Sequence, residues 1–206
     1  FRQAWGSKQA CTFIIRIEPA HWIASPFLHW AAPLSAVTGF GGADYIPVRG
    51  DYDGDGKTDL AVFHNPTGSW YVMHSSTGVV WSIGYGGSGY VPVPGDYDGD
   101  RITDIAVYHP PTGLWFIRYS STLSTMSMGL GGTDYQAIRG DFDGDGKNDL
   151  AVYHLPTGLW YIRRSSTGAV VTIPFGGIGY APVPENYDGD GMTDIWCESQ
   201  PAFGTW

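Results

Sequence analysis

The chain has 206 residues, 43% of them apolar, with 30 glycines, 14 prolines and a formal net charge of −9. That apolar fraction can bury a core, and the glycine and proline content favours many short strands joined by tight turns over a helical protein. The acidity argues against a nucleic-acid partner, and no uninterrupted apolar run is long enough to mark a membrane span.

Residues 1–39 carry no aspartate-rich loop, although Thr38–Gly42 (TGFGG) reads as the end of a strand and His29 lies 45 positions before His74. We read 1–39 as a degenerate copy of the unit that follows, plus a closing strand. The sequence starts at Phe1 rather than Met, as expected of a processed or partial product.

From residue 40 a unit of 45 residues repeats, with aspartate-rich segments beginning at Asp51, Asp96, Asp141 and Asn186. Gly41, Gly86, Gly131 and Gly176 keep that step, as do Tyr45, Tyr90, Tyr135 and Tyr180, the prolines of PTG turns at Pro66, Pro111 and Pro156, and Trp70, Trp115 and Trp160. The units are 40–84, 85–129, 130–174 and an incomplete 175–206. One unit reads as four short strands: DYIPVRG, TDLAVFH, SWYVMH and VVWSIGY. In the second, Leu60 and Val62 face one way while Ala61 and Phe63 face the other. Both faces are apolar, so each sheet is expected to be covered on both sides. Four strands per unit, stacked face to face around a ring, is an all-β β-propeller of about five blades, one of them degenerate, within a single domain. A β-solenoid fits four antiparallel strands per unit poorly. The last unit stops early: PAFGTW aligns with Pro156–Trp160, which leaves an open edge. The N-terminal FRQAW of the same chain could close it, or that of a second chain, giving a homo-oligomer or filament.

The aspartate segments gather 15 of the 20 acidic residues, so the acidity is local and reads as a set of cation sites. In the first loop oxygen donors fall at Asp51, Asp53, Asp55 and Asp59, with Lys57 offering only its backbone carbonyl. The second has Asp96, Asp98, Asp100, Asp104 and the carbonyl of Ile102. The third has Asp141, Asp143, Asp145, Asp149 and the carbonyl of Lys147. The fourth has Asn186, Asp188, Asp190, Asp194 and the carbonyl of Met192, its first carboxylate replaced by an amide. Hard oxygen donors in a flexible loop suit Ca²⁺, and the absence of His and Cys from the loops argues against zinc. About four Ca²⁺ ions would cancel nearly all of the net negative charge. Gly56, Gly146 and Gly191 stand where the second loop has Arg101; if that position needs positive φ, Arg there is strained. The loop begins like an EF-hand, but Val62 stands where that motif needs its bidentate Glu, and the flanks read as strands.

Phe40–Phe63 (FGGADYIPVRGDYDGDGKTDLAVF) resembles the FG-GAP and VCBS-type repeats found in bacterial secreted proteins, integrin α-chain propellers and some fungal lectins. The resemblance covers about residues 40–206. It implies a β-propeller whose blades each hold Ca²⁺ in a hairpin loop, with the same ligands as above, and roles in adhesion, glycan binding or scaffolding rather than a reaction.

Cys11 and Cys197 lie in the two segments that ring closure would bring together. A disulfide is expected there, in keeping with a secreted or cell-surface setting; the alternative is two buried thiols. His64, His109 and His154 belong to three different units and are expected to bond their neighbouring loops. Trp70, Trp115 and Trp160 are expected in the core. No nucleophile elbow, phosphate-cradling loop or acid pair outside the metal loops is present, so no enzymatic activity is expected. The functional expectation is a calcium-stabilised extracellular structural or adhesive module, self-assembling through open edges, whose partner is a glycan or surface protein. The alternative is a lectin that binds glycans at or between blades.

Overall fold

The structure, a computed structural model, describes residues 40–200. All regular elements among them are strands. The first sheet holds β1 (Tyr45–Pro47), β2 (Leu60–His64), β3 (Ser69–Met73) and β4 (Val80–Gly84), antiparallel and in chain order. The second repeats this with β5 (Val91–Pro92), β6 (Ile105–His109), β7 (Leu114–Arg118) and β8 (Thr125–Gly129). The third has β9 (Tyr135–Gly140), β10 (Asp149–His154), β11 (Leu159–Arg163) and β12 (Val170–Pro174). The fourth pairs β13 (Tyr180–Pro182) with β14 (Cys197–Ser199). These are β-propeller-like blades. Residues 1–39 and 201–206, and with them the degenerate copy, the closing strand and the PAFGTW end, lie outside the described residues.

The core lies between successive sheets rather than within one. Ala61, Phe63, Trp70 and Val72 of the first sheet pack against Ile105 and Val107 of the second. Ala106, Tyr108, Trp115 and Ile117 pack in the same way on Leu150 and Val152 of the third. The alternation along the second strand explains this, because each strand sends one face forward and the other back. Leu60, on the face of the first sheet that no described sheet covers, is 45% exposed; Ile105 and Leu150, at the same place in the next two, are 5% and 6% exposed.

Trp70, Trp115 and Trp160 are fully buried. Each indole Nε1–H donates to a backbone carbonyl fifteen residues on: Tyr85, Leu130 and Phe175, at 2.9, 3.0 and 2.9 Å. A buried indole with its one donor satisfied is a core residue, as expected. His64, His109 and His154 pair through Nδ1 with the hydroxyls of Thr67, Thr112 and Thr157 in the PTG turns, at 2.7, 2.8 and 2.6 Å. Their rings also lie against Tyr45, Tyr90 and Tyr135. The histidines are therefore blade-corner residues. The glycine of the PTG turn is required twice over: Gly68 has φ +70°, and a Cβ there would stand 2.5 Å from the backbone of Gly86 and Gly87.

Of the expected Cys11–Cys197 bridge only one end is described: Cys197 is buried and has no disulfide partner among the described residues, and Cys11 lies outside them. Cys197 occupies the repeat position of Val62, Val107 and Val152, so it fills core space against Ala151, Tyr153 and Trp160. Its Sγ donates to the Phe175 carbonyl at 3.3 Å, and burial raises its pKa.

Candidate metal centres

Each aspartate loop spans the turn between the first and second strands of a sheet and is closed by pairing across its base, as in the Gly50–Asp59 and Gly95–Asp104 bridges. The loop is wound by its own carboxylates. Asp51 accepts N–H bonds from Gly54 and Gly56 at 2.7 and 2.8 Å. Asp96 accepts from Gly99 and Arg101 at 2.6 and 2.7 Å, and Asp141 from Gly144 and Gly146 at 2.6 and 2.8 Å. These bonds turn the chain back so that alternate acids face inward.

The last acid of each loop is the best held. Asp59, Asp104 and Asp149 are buried. One oxygen accepts the N–H of Tyr52, Tyr97 or Phe142 at 2.7, 2.8 and 2.9 Å. The other accepts the N–H of Ser75, Ser120 or Ser165, from the turn joining the third and fourth strands, at 2.7, 2.7 and 2.6 Å. Ser76, Ser121 and Ser166 of that turn donate to Asp53, Asp98 and Asp143, each at 2.5 Å. That turn is a part of the site which sequence reading missed; its repetition as SST at Ser75, Ser120 and Ser165 was the available signal.

The result is three carboxylate triads: Asp51, Asp53 and Asp59; Asp96, Asp98 and Asp104; Asp141, Asp143 and Asp149. Within each, ligand oxygens lie within 4.8 Å of one another. Asp55, Asp100 and Asp145 stand outside the triads, accepting the N–H of Lys57, Ile102 and Lys147 at 2.8, 2.8 and 2.9 Å. Asp55 and Asp100 also accept the hydroxyls of Ser75 and Ser120. Of the residues expected to offer a carbonyl, Ile102, Lys147 and Met192 lay their side chains against Gly54, Gly99 and Gly144 of the preceding loop. In the fourth loop Asn186 accepts from Gly189 at 2.8 Å, Asp188 from Asp190 at 3.0 Å, Asp190 from Met192 at 2.7 Å and Asp194 from Tyr187 at 2.8 Å. Its acids form no triad among the described residues.

Electrostatics sharpen the triads. Burial pushes Asp104 up to about 6, helped by the charge of Asp98 and opposed by the N–H bonds from Ser120 and Tyr97. Asp149 is raised for the same reason. Asp53 is held below its usual range, chiefly by the Ser76 hydroxyl. Two like charges at such separations repel by about 1–3 kcal/mol per pair at effective dielectrics of 80 to 20. The third triad also contains an orphan: Asp143 Oδ1 is buried without a hydrogen-bond partner. A buried, unpaired carboxylate oxygen beside two further carboxylates fits a hard cation.

Residues 51–107 match the FG-GAP-like repeat family. The match opens on the first ligand of the first loop, takes in both the first and second loops whole and ends in β6. The later loops follow at the same step of 45. No curated protein and no solved structure matches the chain. The repeat and its acidic clusters are compatible with a calcium-binding repeat module.

Proposed function

We propose that this is an extracellular, non-catalytic β-propeller module whose blades are pinned by Ca²⁺, that it serves structure or adhesion, and that it assembles with further copies through open blade edges. The observation that carries the reading is the recurrence of one carboxylate triad at one place in three successive blades. A cation in each triad neutralises acids that otherwise repel, and ties the base of the blade to its outer turn through Ser75 and Ser76 or their equivalents. Assembly is supported by the fourth sheet, where β14 has no third strand among the described residues and Ile178, Tyr187 and Trp196 are exposed. Thermal unfolding with calcium and with excess chelator tests the ion. The calcium-loaded protein is expected to melt well above the chelated one, and equal melting temperatures would overturn the reading. Sedimentation of the calcium-loaded protein tests assembly, for which a single monomeric species is the adverse result.

A second reading, glycan binding between blades, is favoured by one groove. A cleft of about 300 Å³ between the second and third sheets is lined by Tyr119, Met126, Met128, Lys147, Arg163 and Arg164. Aromatic and thioether surface beside three cations, in a chain of net charge −9, suits a sugar that carries carboxylate or sulfate groups. Binding of uronate or sulfated sugars that is lost in Arg163→Glu would favour this reading over purely structural adhesion.

A further inference from the structure

The loops touch one another, and they do so through residues that flank the ligands. Thr103, one residue before Asp104, donates its backbone N–H to the Asp51 carbonyl at 2.7 Å, and the Asp51 N–H donates to Thr103 Oγ1 at 3.0 Å. The next pair of loops repeats the backbone bond, with Asn148 N–H donating to the Asp96 carbonyl at 2.6 Å. In the third pair Thr193 N–H donates to the Asp141 carbonyl at 2.6 Å, and Asp141 N–H donates to Thr193 Oγ1 at 3.1 Å. The first ligand of each loop is thus fastened to the residue before the last acid of the next.

The fit is tight on both sides of this clasp. A Cβ on Gly50 would stand 2.6–2.8 Å from three atoms of Thr103, and one on Gly140 would stand 2.7–2.9 Å from three atoms of Thr193. Gly95 meets Asn148 in the same way. One residue earlier, Ile102 and Met192 lie 3.2 Å from where a Cβ on Gly54 or Gly144 would be, and Lys147 lies 2.9 Å from that on Gly99. The fourth repeat breaks the pattern, since Glu185 stands where the others have Gly50, Gly95 and Gly140. At Gly50, Gly95 and Gly140 even a Cβ would run into the following Thr or Asn, so a glutamate at this position does not admit the same clasp.

Resting on the calcium reading above, we propose that the loops bind their ions cooperatively: an ion that orders one loop pre-orders the first ligand of the loop before it through the Thr103, Asn148 and Thr193 clasps. An ion in the second loop fixes Asp104 and therefore Thr103. Asp51 then begins from its bound backbone position, and the first loop has less disorder to lose when its own ion arrives. Linkage makes the effect reciprocal, so an ion in the first loop favours one in the second by the same factor. Coupling runs between neighbours and stops at Glu185.

Calcium titration of the full chain by isothermal calorimetry tests this. The wild type is expected to show a Hill coefficient above one, with a neighbour's affinity raised roughly fivefold or more. Gly50→Ala and Gly140→Ala add a methyl against the clasp and change no ligand side chain or backbone carbonyl; each is expected to keep the number of ions bound while lowering the steepness. Glu185→Ala is expected to leave the steepness unchanged. Independent sites in the wild type overturn the coupling and leave the calcium reading standing, whereas no ion uptake at all sinks both. Cooperativity that arose only from ion-driven folding of the whole chain would be equally steep in Gly50→Ala and Glu185→Ala, and that result also overturns the relay. Should the alanine variants fail to fold, Thr103→Val removes only the hydroxyl that holds Asp51 N–H. Its titration is expected to be shallower than the wild type's, and an unchanged curve is decisive against the proposal.

Discussion

The first three aspartate loops and the fourth carry nearly the same nine-residue pattern, yet they are not the same structure. Tyr52 and Tyr97, beside the first ligands of their loops, are 8% and 7% exposed, while Tyr187 in the fourth is 57% exposed. Asp59, Asp104 and Asp149 are buried and pinned from two sides. Asp194 is only half-buried and has the Tyr187 N–H as its backbone donor. The loop residues therefore supply the donors, but the blade supplies the burial. The fourth loop differs in its donors as well, since Asn186 replaces the first carboxylate and leaves only Asp188 and Asp194 at the triad positions, and no serine turn or further sheet covers it among the described residues.

The face turned away from the third blade shows the same contrast. Trp196 occupies the repeat position of Ala61, Ala106 and Ala151, where the first three sheets need a small residue so that the next can pack, and it is 53% exposed. The largest test of the comparison is truncation of a tryptophan on either side of it. Trp115→Ala, in the filled space between the second and third sheets, is expected to cost about 3–5 kcal/mol. Trp196→Ala is expected to change stability by about 0.5 kcal/mol or less. Urea unfolding with calcium present measures both. Similar losses would mean that the fourth repeat is packed like the others.

A middle-sized effect separates the loops by pH. The folded-state pKa of Asp104, at about 6, lies above the ordinary carboxylate value of 3.8, and Asp149 is raised as well. Such groups bind protons more tightly in the fold than in the unfolded chain. Their contribution favours the fold at acid pH and is lost as pH rises from about 4 through about 6. Asp53, whose pKa is lowered, acts in the opposite sense and below that window. In chelator the melting temperature is therefore expected to fall between about pH 4.5 and 7. With calcium it is expected to rise over the same range, because the ion binds ionised carboxylates. A rise in chelator would show that the buried acids are not under strain. Asp104→Asn should flatten the chelator profile more than Asp194→Asn.

Much of this was legible in the sequence because it is periodic. The step of 45 placed the loops, the PTG turns and the core tryptophans, and the two apolar faces of LAVF implied sheets covered on both sides. Less legible was which acids converge. Alternate spacing made Asp55, Asp100 and Asp145 look equivalent to their neighbours, but the hydroxyls of Ser75 and Ser120, twenty residues away, turn Asp55 and Asp100 aside. Cys197 was legible in part: its register with Val62 marks the core position it fills, while the Cys11 end of the expected bridge lies outside the described residues. The clasp was also out of reach, since Thr103 reads as a strand-start residue until Gly50 is seen beneath it.

The smallest expected effect contrasts the second loop with the third. Arg101 sits at φ +70°, where Gly56 and Gly146 sit at +81° and +84°. A left-handed conformation costs a residue with a Cβ about 1–2 kcal/mol, and Arg101→Gly removes that cost. Glycine also gives the unfolded chain more freedom, which takes back roughly 0.5–1 kcal/mol. The net gain is therefore expected to be at most about 1 kcal/mol, measured by urea unfolding with calcium. Two controls separate conformation from charge. Arg101→Ala keeps the strained φ while removing the cation, so it should bring no gain in stability. Gly146→Arg places the same residue in the third loop and should lose about what Arg101→Gly gains. Calcium affinity moves differently, because removing a positive charge beside Asp96 and Asp100 should tighten the second site in both the Gly and the Ala variant. If Arg101→Ala is as stabilising as Arg101→Gly, the burden on this loop is electrostatic and the positive φ carries no measurable cost.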